Sequence, residues 1–297
     1  MKNKVLVLLA IIAGIWTINA CDIIDNPFPK KRVATFVDTV GLDSIAALQA
    51  EPSNLKKVLL EDFTGHQCGN CPRAHEDAAA LAAQYGDRLI IVGMHIGFFA
   101  RTNTTGKYTV DYKTEAGTAY GNEWGIDALG LPQGMVDRVP LTGANPAITR
   151  GSWPTQIAAR IQKSPAAGIK VTKTYNHNTR KLNLRVATKA LAAMPENVGL
   201  FVWITEDSLI SWQKDYLLTP PADNIEFYTH RHVMRLALNE TWGDDLGNIK
   251  TGATKTKYYG YTVPAEWNDK HLHAVIALYN IADKSIIQAE EVKLLGE

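Results

Sequence analysis

The sequence predicts an α/β front half followed by an all-β back half, and two observations carry this. Between Lys57 and Ile96 a β-type run, a helical run and a second apolar run follow one another, the order of a βαβ unit. After Pro165 the texture changes to short alternating runs with no helical pattern between them, as in an antiparallel sandwich. Composition agrees. Hydrophobic residues make up 46% and charged residues 21%, which fits a globular core, and 297 residues suffice for two domains. A net charge of +1 argues against nucleic acid as a partner, which would need a basic patch.

Residues 1–32 read as an address rather than a fold. Met1 to Lys4 is a short basic start, and Val5 to Ile15 is apolar but shorter than the roughly 20 residues that span a bilayer. This is the layout of a secretory signal, placed at 1–20. Its ending, Ile18-Asn19-Ala20-Cys21, resembles a bacterial lipobox. That resemblance implies cleavage before Cys21, diacylation of its sulfur, and a membrane contact through the lipid. Residues 21–32, with Pro27, Pro29 and Lys30-Lys31-Arg32, then form a solvated tether. If lipid takes Cys21, only Cys68 and Cys71 remain of three cysteines, and outside the cytoplasm that pair can form and keep a bond.

The front domain, 33–164, is organised around Asp62-Phe63-Thr64-Gly65-His66-Gln67-Cys68-Gly69-Asn70-Cys71-Pro72. A strand over 57–63 leads in and a helix from about Cys71 to Tyr85 leads out. Two cysteines two residues apart at a strand-to-helix junction are a redox signature. Cys68 is expected to open the helix, face solvent and feel the dipole, which favours its thiolate. Cys71 is expected to lie deeper, because Cys71, Ala74, Ala78, Leu81, Ala82 and Tyr85 form one apolar stripe. Leu89 to Ile96 reads as a buried strand parallel to the first. Gly134 to Val139 gives another strand, and Ser152 caps a helix carrying Trp153, Ile157 and Ile161.

These residues resemble thioredoxin. Asp62-Phe63 lies where thioredoxins carry a buried Asp-Phe pair, Cys68-Gly69-Asn70-Cys71 where they carry Cys-Gly-Pro-Cys, and Gly130-Leu131-Pro132 resembles their cis-proline loop. The resemblance implies an α/β thioredoxin-like domain, a cis Leu131–Pro132 bond facing the thiols, and Asp62 as a proton relay to Cys71. Gln67 in place of the usual tryptophan, and a long segment from Phe98 to Ile126, depart from the pattern and put ordinary thioredoxin substrates in doubt. Read without the resemblance, three chemistries fit the pair: a redox dithiol, an inert stabilising disulfide, or a Zn or Cu site made by Cys68, Cys71 and His75. Asp62 likewise reads either as a relay or as a carboxylate satisfied at a strand end.

The back domain, 166–297, begins with the hairpin Ile169–Tyr175 and Lys181–Val186 turning at Asn176-His177-Asn178-Thr179. Further strands are expected at 198–205, 230–238, 255–263, 272–280 and 285–292. His230/His232 and His271/His273 tempt a metal reading, but the first pair shares the core face and the second faces outward, so they do not converge. The connection from Glu206 to Phe227 carries Trp212, Tyr216, Leu217 and Leu218, and reads as a functional loop or as a strap packed on the sandwich.

Taken whole, the chain resembles the outer-membrane-protein-28-related lipoproteins. The resemblance rests on the 64–72 motif, on Leu131-Pro132-Gln133-Gly134-Met135-Val136-Asp137-Arg138 and on His232-Val233-Met234-Arg235. It implies a thioredoxin-like front, an immunoglobulin-like sandwich behind it, and a lipid-anchored protein of the cell envelope, at the outer membrane. The expected activity is thiol–disulfide exchange with a protein thiol or disulfide, using Cys68, Cys71, Asp62 and Pro132 and no cofactor. The rival is a surface binding or adhesion protein whose Cys68–Cys71 bond is structural.

Overall fold

The computed structural model of the protein describes residues 37–51, 55–220 and 222–295, all within one compact unit, Arg32–Glu297. The expected signal, the lipid site Cys21 and the tether lie outside the described residues.

A short helix α1 (Thr39–Leu48) is capped by Asp38, whose carboxylate accepts from the Gly41 N–H. Strand β1 (Val58–Thr64) then feeds helix α2 (Cys71–Tyr85), which returns into β2 (Leu89–His95), parallel to β1. Helices α3 (Glu115–Glu123) and α4 (Ile126–Leu129) precede β3 (Gln133–Val136), which runs antiparallel to β1, and α5 (Trp153–Ile161) follows. Ser152 precedes α5 without making the side-chain cap bond that its position predicts. Strands β4 (Ala167–Asn176), β5 (Lys181–Ala190) and β11 (Thr254–Thr262) form a three-stranded sheet.

The remaining long strands are β6 (Val198–Glu206), β9 (Val233–Ala237), β12 (Leu272–Asn280) and β13 (Ile286–Lys293). They do not form a separate sheet. Among the described residues they join the front strands in the order β13-β12-β6-β9-β2-β1-β3, with β10 (Asp244–Gly247) beside β6. The α/β and β-rich textures are thus both present, but the sheet runs across the 164–166 division. The seam is one parallel pair, Gly93 with Val233, where the Gly93 N–H donates to the His232 carbonyl at 2.8 Å.

Alternation along the strands sends side chains to two faces. On one, Val58, Leu60 and Ile91 pack on Ala78, Leu81 and Trp153 of α2 and α5. Farther along it, Leu200, Val202 and Ile276 meet Ile169, Leu184 and Val186 of the three-stranded sheet. The other face is common to both halves: Phe63, Val92, Trp203 and Val275 lie under Tyr120 and Ile126 of the long segment before the proline loop. That double cover explains why β6 is buried at every position.

Two sequence expectations change. The run 230–238 is not one strand, because His232 takes a left-handed φ of 53° and breaks it between His230 and Val233. The connection 206–227 is not a strap on the sandwich. It is a hairpin, β7 (Leu209–Lys214) and β8 (Asn224–His230), that leaves the main sheet.

Beneath the shared face, Arg138 donates from Nε and Nη2 to both oxygens of Glu61 at 2.7 and 2.6 Å. Both side chains are 0% exposed, and the guanidinium lies 4.6 Å from the Tyr120 ring and 4.8 Å from that of Phe201 on β6. This bidentate pair joins β1 to the turn after β3 and touches the back half. Removing one partner strands a buried charge, which typically costs about 3–5 kcal/mol, whereas removing both is often close to neutral. Arg138→Met is therefore expected to lose that much stability in urea unfolding, and Glu61→Leu with Arg138→Met to recover most of it. A double variant as unstable as the single one would contradict this account of the pair.

Candidate functional site: a capped cysteine pair

Cys68 and Cys71 are joined by a disulfide. The loop that holds them is set by its own backbone: the Cys68 N–H donates to the Gly65 carbonyl and the Cys71 N–H to the Cys68 carbonyl. Helix α2 begins at Cys71, with Pro72 in its first turn, so Cys68 sits on the loop just before the helix rather than opening it. Cys71 lies deep, as its place in the apolar stripe predicts. Cys68 does not face solvent: it is 2% exposed.

Cys68 packs in the core cluster with Phe63 and Leu131, and the β7–β8 hairpin runs along its loop. The Lys214 N–H donates to the His66 carbonyl and the Tyr216 N–H to the Gly69 carbonyl, each at 2.9 Å, so the hairpin extends β7 along the cysteine loop. The buried Gln213 amide donates to the Cys68 carbonyl at 2.9 Å, and Arg73 on α2 pairs with Asp215 at 2.6 Å. The Tyr216 ring lies on Gly69, where a Cβ would come within 2.3 Å of it, so only glycine leaves room. On the other side of the loop, His66 bonds the Arg101 carbonyl and packs beside Tyr108, with ring centroids 5.2 Å apart.

Asp62, near the end of β1, is 3% exposed, and its Oδ1 has no hydrogen-bond partner. Burial pushes its carboxyl up to about 7. His75, one turn beyond Cys71, places Nε2 2.9 Å from Thr64 Oγ1 and 3.7 Å from Asp62 Oδ2, and its Nδ1 meets the Tyr228 hydroxyl at 2.6 Å. With the cysteines bonded to each other and His75 held by Thr64 and Tyr228, these three do not make a ligand set. Among the described residues no group of His, Cys, Asp and Glu is arranged to hold a metal. Asp62, His75, His95, Tyr228 and His230 line a cavity of about 170 Å³ between α2, β2 and β8. Burial holds His75 down to about 4 and His230 to about 3, so the imidazoles are neutral. His271 and His273 lie elsewhere, His273 against Glu291 at 3.0 Å. The Leu131–Pro132 bond is cis, and Leu131 shares the core cluster of both cysteines.

The pair, Asp62 and the proline loop were all legible in sequence. The hairpin residues Gln213, Asp215, Tyr216 and Tyr228 were not assigned to this site. The only available signal was the apolar run Tyr216-Leu217-Leu218 in a connection too long to be a simple turn.

The fold joins an α/β half that bears a cysteine pair to a β-rich half whose hairpin lies along that pair. The profile described as "Outer membrane protein Omp28" matches residues 118–296, more than half of the 297, and the chain belongs to that family. Membership locates it in the cell envelope, at the outer membrane. The matched segment contains the proline loop, Arg138 and the hairpin, and begins after the cysteine pair. Among solved structures, HBP35 of Porphyromonas gingivalis is 18% identical with a TM-score of 0.59, over 82% of this chain and 77% of that one, a likeness of fold. A domain of the outer membrane lipoprotein Omp28 from Porphyromonas gingivalis is also 18% identical, over 44% and 88%, with a TM-score of 0.31. No curated protein matches the chain. Among the described residues no helix is long and apolar enough to cross a membrane.

The hairpin is expected to control access to the pair, because it is bonded along the cysteine loop at His66 and Gly69. In the reduced protein, Tyr216→Ala keeps the backbone bond to Gly69 but removes the ring. A loss of about 1–2 kcal/mol of cover would raise the open population, and with it Cys68 alkylation by iodoacetamide, about tenfold. Stopped alkylation followed by mass spectrometry checks this. Equal rates in wild type and variant would show that Tyr216 does not gate the thiol.

Proposed function

We propose that the protein is a lipid-anchored, thioredoxin-like thiol–disulfide oxidoreductase of the cell envelope. The observation that carries this reading is a bonded Cys68–Cys71 pair at the start of α2 together with a buried carboxyl, Asp62, which faces His75 one turn along the same helix and whose pKa burial has moved to about 7. A cost of that kind is kept where proton transfer is needed. In the reduced state the Cys68 thiolate attacks a substrate protein disulfide, forming a mixed disulfide and releasing one substrate thiolate. Cys71 gives its proton to Asp62, attacks the Cys68 sulfur and displaces the second substrate thiolate. The product is the Cys68–Cys71 bond, and the same steps run backwards oxidise a substrate dithiol. The proline loop at Leu131-Pro132 holds the substrate strand. The lipid sits on Cys21, and the β-rich half binds a partner or sets the distance from the membrane.

One observation favours a second reading. Cys68 is nearly sealed, packed in the core cluster with Phe63 and Leu131, on a loop that Gln213 and Tyr216 flank. A sealed disulfide fits a surface binding or adhesion lipoprotein in which the bond only fastens the loop.

Trapping separates the two. Cys71→Ser should accumulate mixed disulfides with envelope proteins through Cys68, and Cys68→Ser should accumulate few, seen on non-reducing gels of membrane fractions. No adduct with either variant would favour the structural reading, and equal trapping would contradict the assigned roles.

A further inference from the structure

We infer that His75, hydrogen-bonded to Tyr228 of the hairpin, is the proton outlet of the dithiol site: it carries the proton that Cys71 gives to Asp62 out to the cavity beside α2. This rests on the thiol–disulfide reading above. When Cys71 attacks the Cys68 sulfur of the mixed disulfide, its proton moves to the Asp62 carboxylate, the Cys68–substrate bond breaks, and the Cys68–Cys71 bond forms. The substrate leaves as a thiolate and takes a proton from solvent. Asp62 is then left protonated and must lose its proton before the next turn. His75 acts on the thiols only through Asp62, so it is a positioning residue for proton flow, not a catalytic one.

The geometry supplies the route. Cys71 and His75 are four residues apart and share a face of α2. The Asp62 side chain is 4% exposed, and that of His75, next to it on the cavity wall, is 22% exposed. His75 Nε2 stands 3.7 Å from Asp62 Oδ2, shared with Thr64, and its Nδ1 is bonded to the Tyr228 hydroxyl at 2.6 Å. An imidazole with one nitrogen toward the buried acid and the other toward a hydroxyl at a cavity wall accepts on one side and releases on the other. The cavity has room for several waters, which an unpartnered Asp62 Oδ1 and the unpartnered ring nitrogens of His95 and His230 would hold.

The surrounding charges set the direction of flow. From α2, Glu76 lines the cavity and is paired with Arg73, which also holds Asp215 of the hairpin. From β2 and β8 come His95, Tyr228 and His230, and from the bend after β8 come Arg231 and His232. Burial first, and the His232 imidazole second, hold the His75 pKa down to about 4, so a proton on His75 is passed on rather than kept.

The test uses the reduced protein and dithiodipyridine, a small neutral disulfide whose thiopyridone release is read by absorbance. The first release reports attack by Cys68 and the second reports resolution by Cys71. In wild type the second rate should rise with pH around a midpoint of about 7, that of Asp62. General acid–base participation is worth about a hundredfold or more, so partial loss through His75→Gln should slow the second phase by about tenfold near neutral pH, with the first unchanged. Free imidazole should restore the second phase in His75→Ala, because the cavity admits it, and should not restore it in Asp62→Asn. A His75→Gln profile that overlays wild type at every pH, or a His75→Ala variant indifferent to imidazole, would overturn the outlet while leaving the redox reading intact. A wild-type protein that never gives the second release would overturn both.

Discussion

The site depends on the seam between β2 and β9. Gly93 pairs with Val233, and a Cβ on Gly93 would lie 3.3 Å from the Arg231 carbonyl, so the backbones approach closely because nothing intervenes. β9 is in turn antiparallel to β6, which fastens the seam to the sandwich. His232, with its positive φ, turns the chain out of the sheet at this point. The hairpin that ends at His230 therefore has a fixed root, and its far end falls on residues 65–69. A cysteine loop built by the front of the chain is closed by a segment contributed from the back.

That closure makes the site energetically uneven. Asp62 is protonated when buried, and charging it above about pH 7 costs on the order of 4 kcal/mol relative to its ordinary value. Its contribution to stability is lost as pH rises from the usual carboxylate range through about 7. His75 and His230 behave oppositely. Their folded pKa values are depressed, so the unfolded chain binds more protons below about 6.5 and stability falls as pH drops toward 4. The two penalties therefore run in opposite directions between about pH 4 and 7: that of the histidines is smallest near neutrality and that of Asp62 at the acid end. A core built only for stability would carry apolar residues at Asp62, His95 and His230. Their retention beside a cysteine pair is what a proton-handling site requires.

What sequence could show follows from what is local. The β1–α2–β2 unit, the stripe on α2, the β4–β5 hairpin and strands β6, β12 and β13 are written in periodicity, and they appear within a residue or two of their expected places, except that β5 runs four residues further, to Ala190. Asp62, Cys68, Cys71 and Pro132 are legible because a short motif carries them. The seam and the cap are not, because each joins residues more than a hundred positions apart with no pattern of its own. The unbroken apolar run through 230–238 hid the bend at His232, since nothing in a side chain's polarity announces a positive φ. Cys68 was expected at the surface on the geometry of its own helix. It is buried in the core cluster that holds Phe63 and Leu131, on a loop flanked by Tyr216 and Gln213, residues that periodicity assigns to a loop.

The central claim is that the Cys68–Cys71 bond turns over, and its reduction potential tests this most directly. Equilibration of the intact chain in glutathione buffers, read by mass after alkylation, should give a value above about −300 mV, in the range of exchanging pairs. A value well below that, with the bond resisting the glutathione pool, would mean a structural disulfide and would contradict the account.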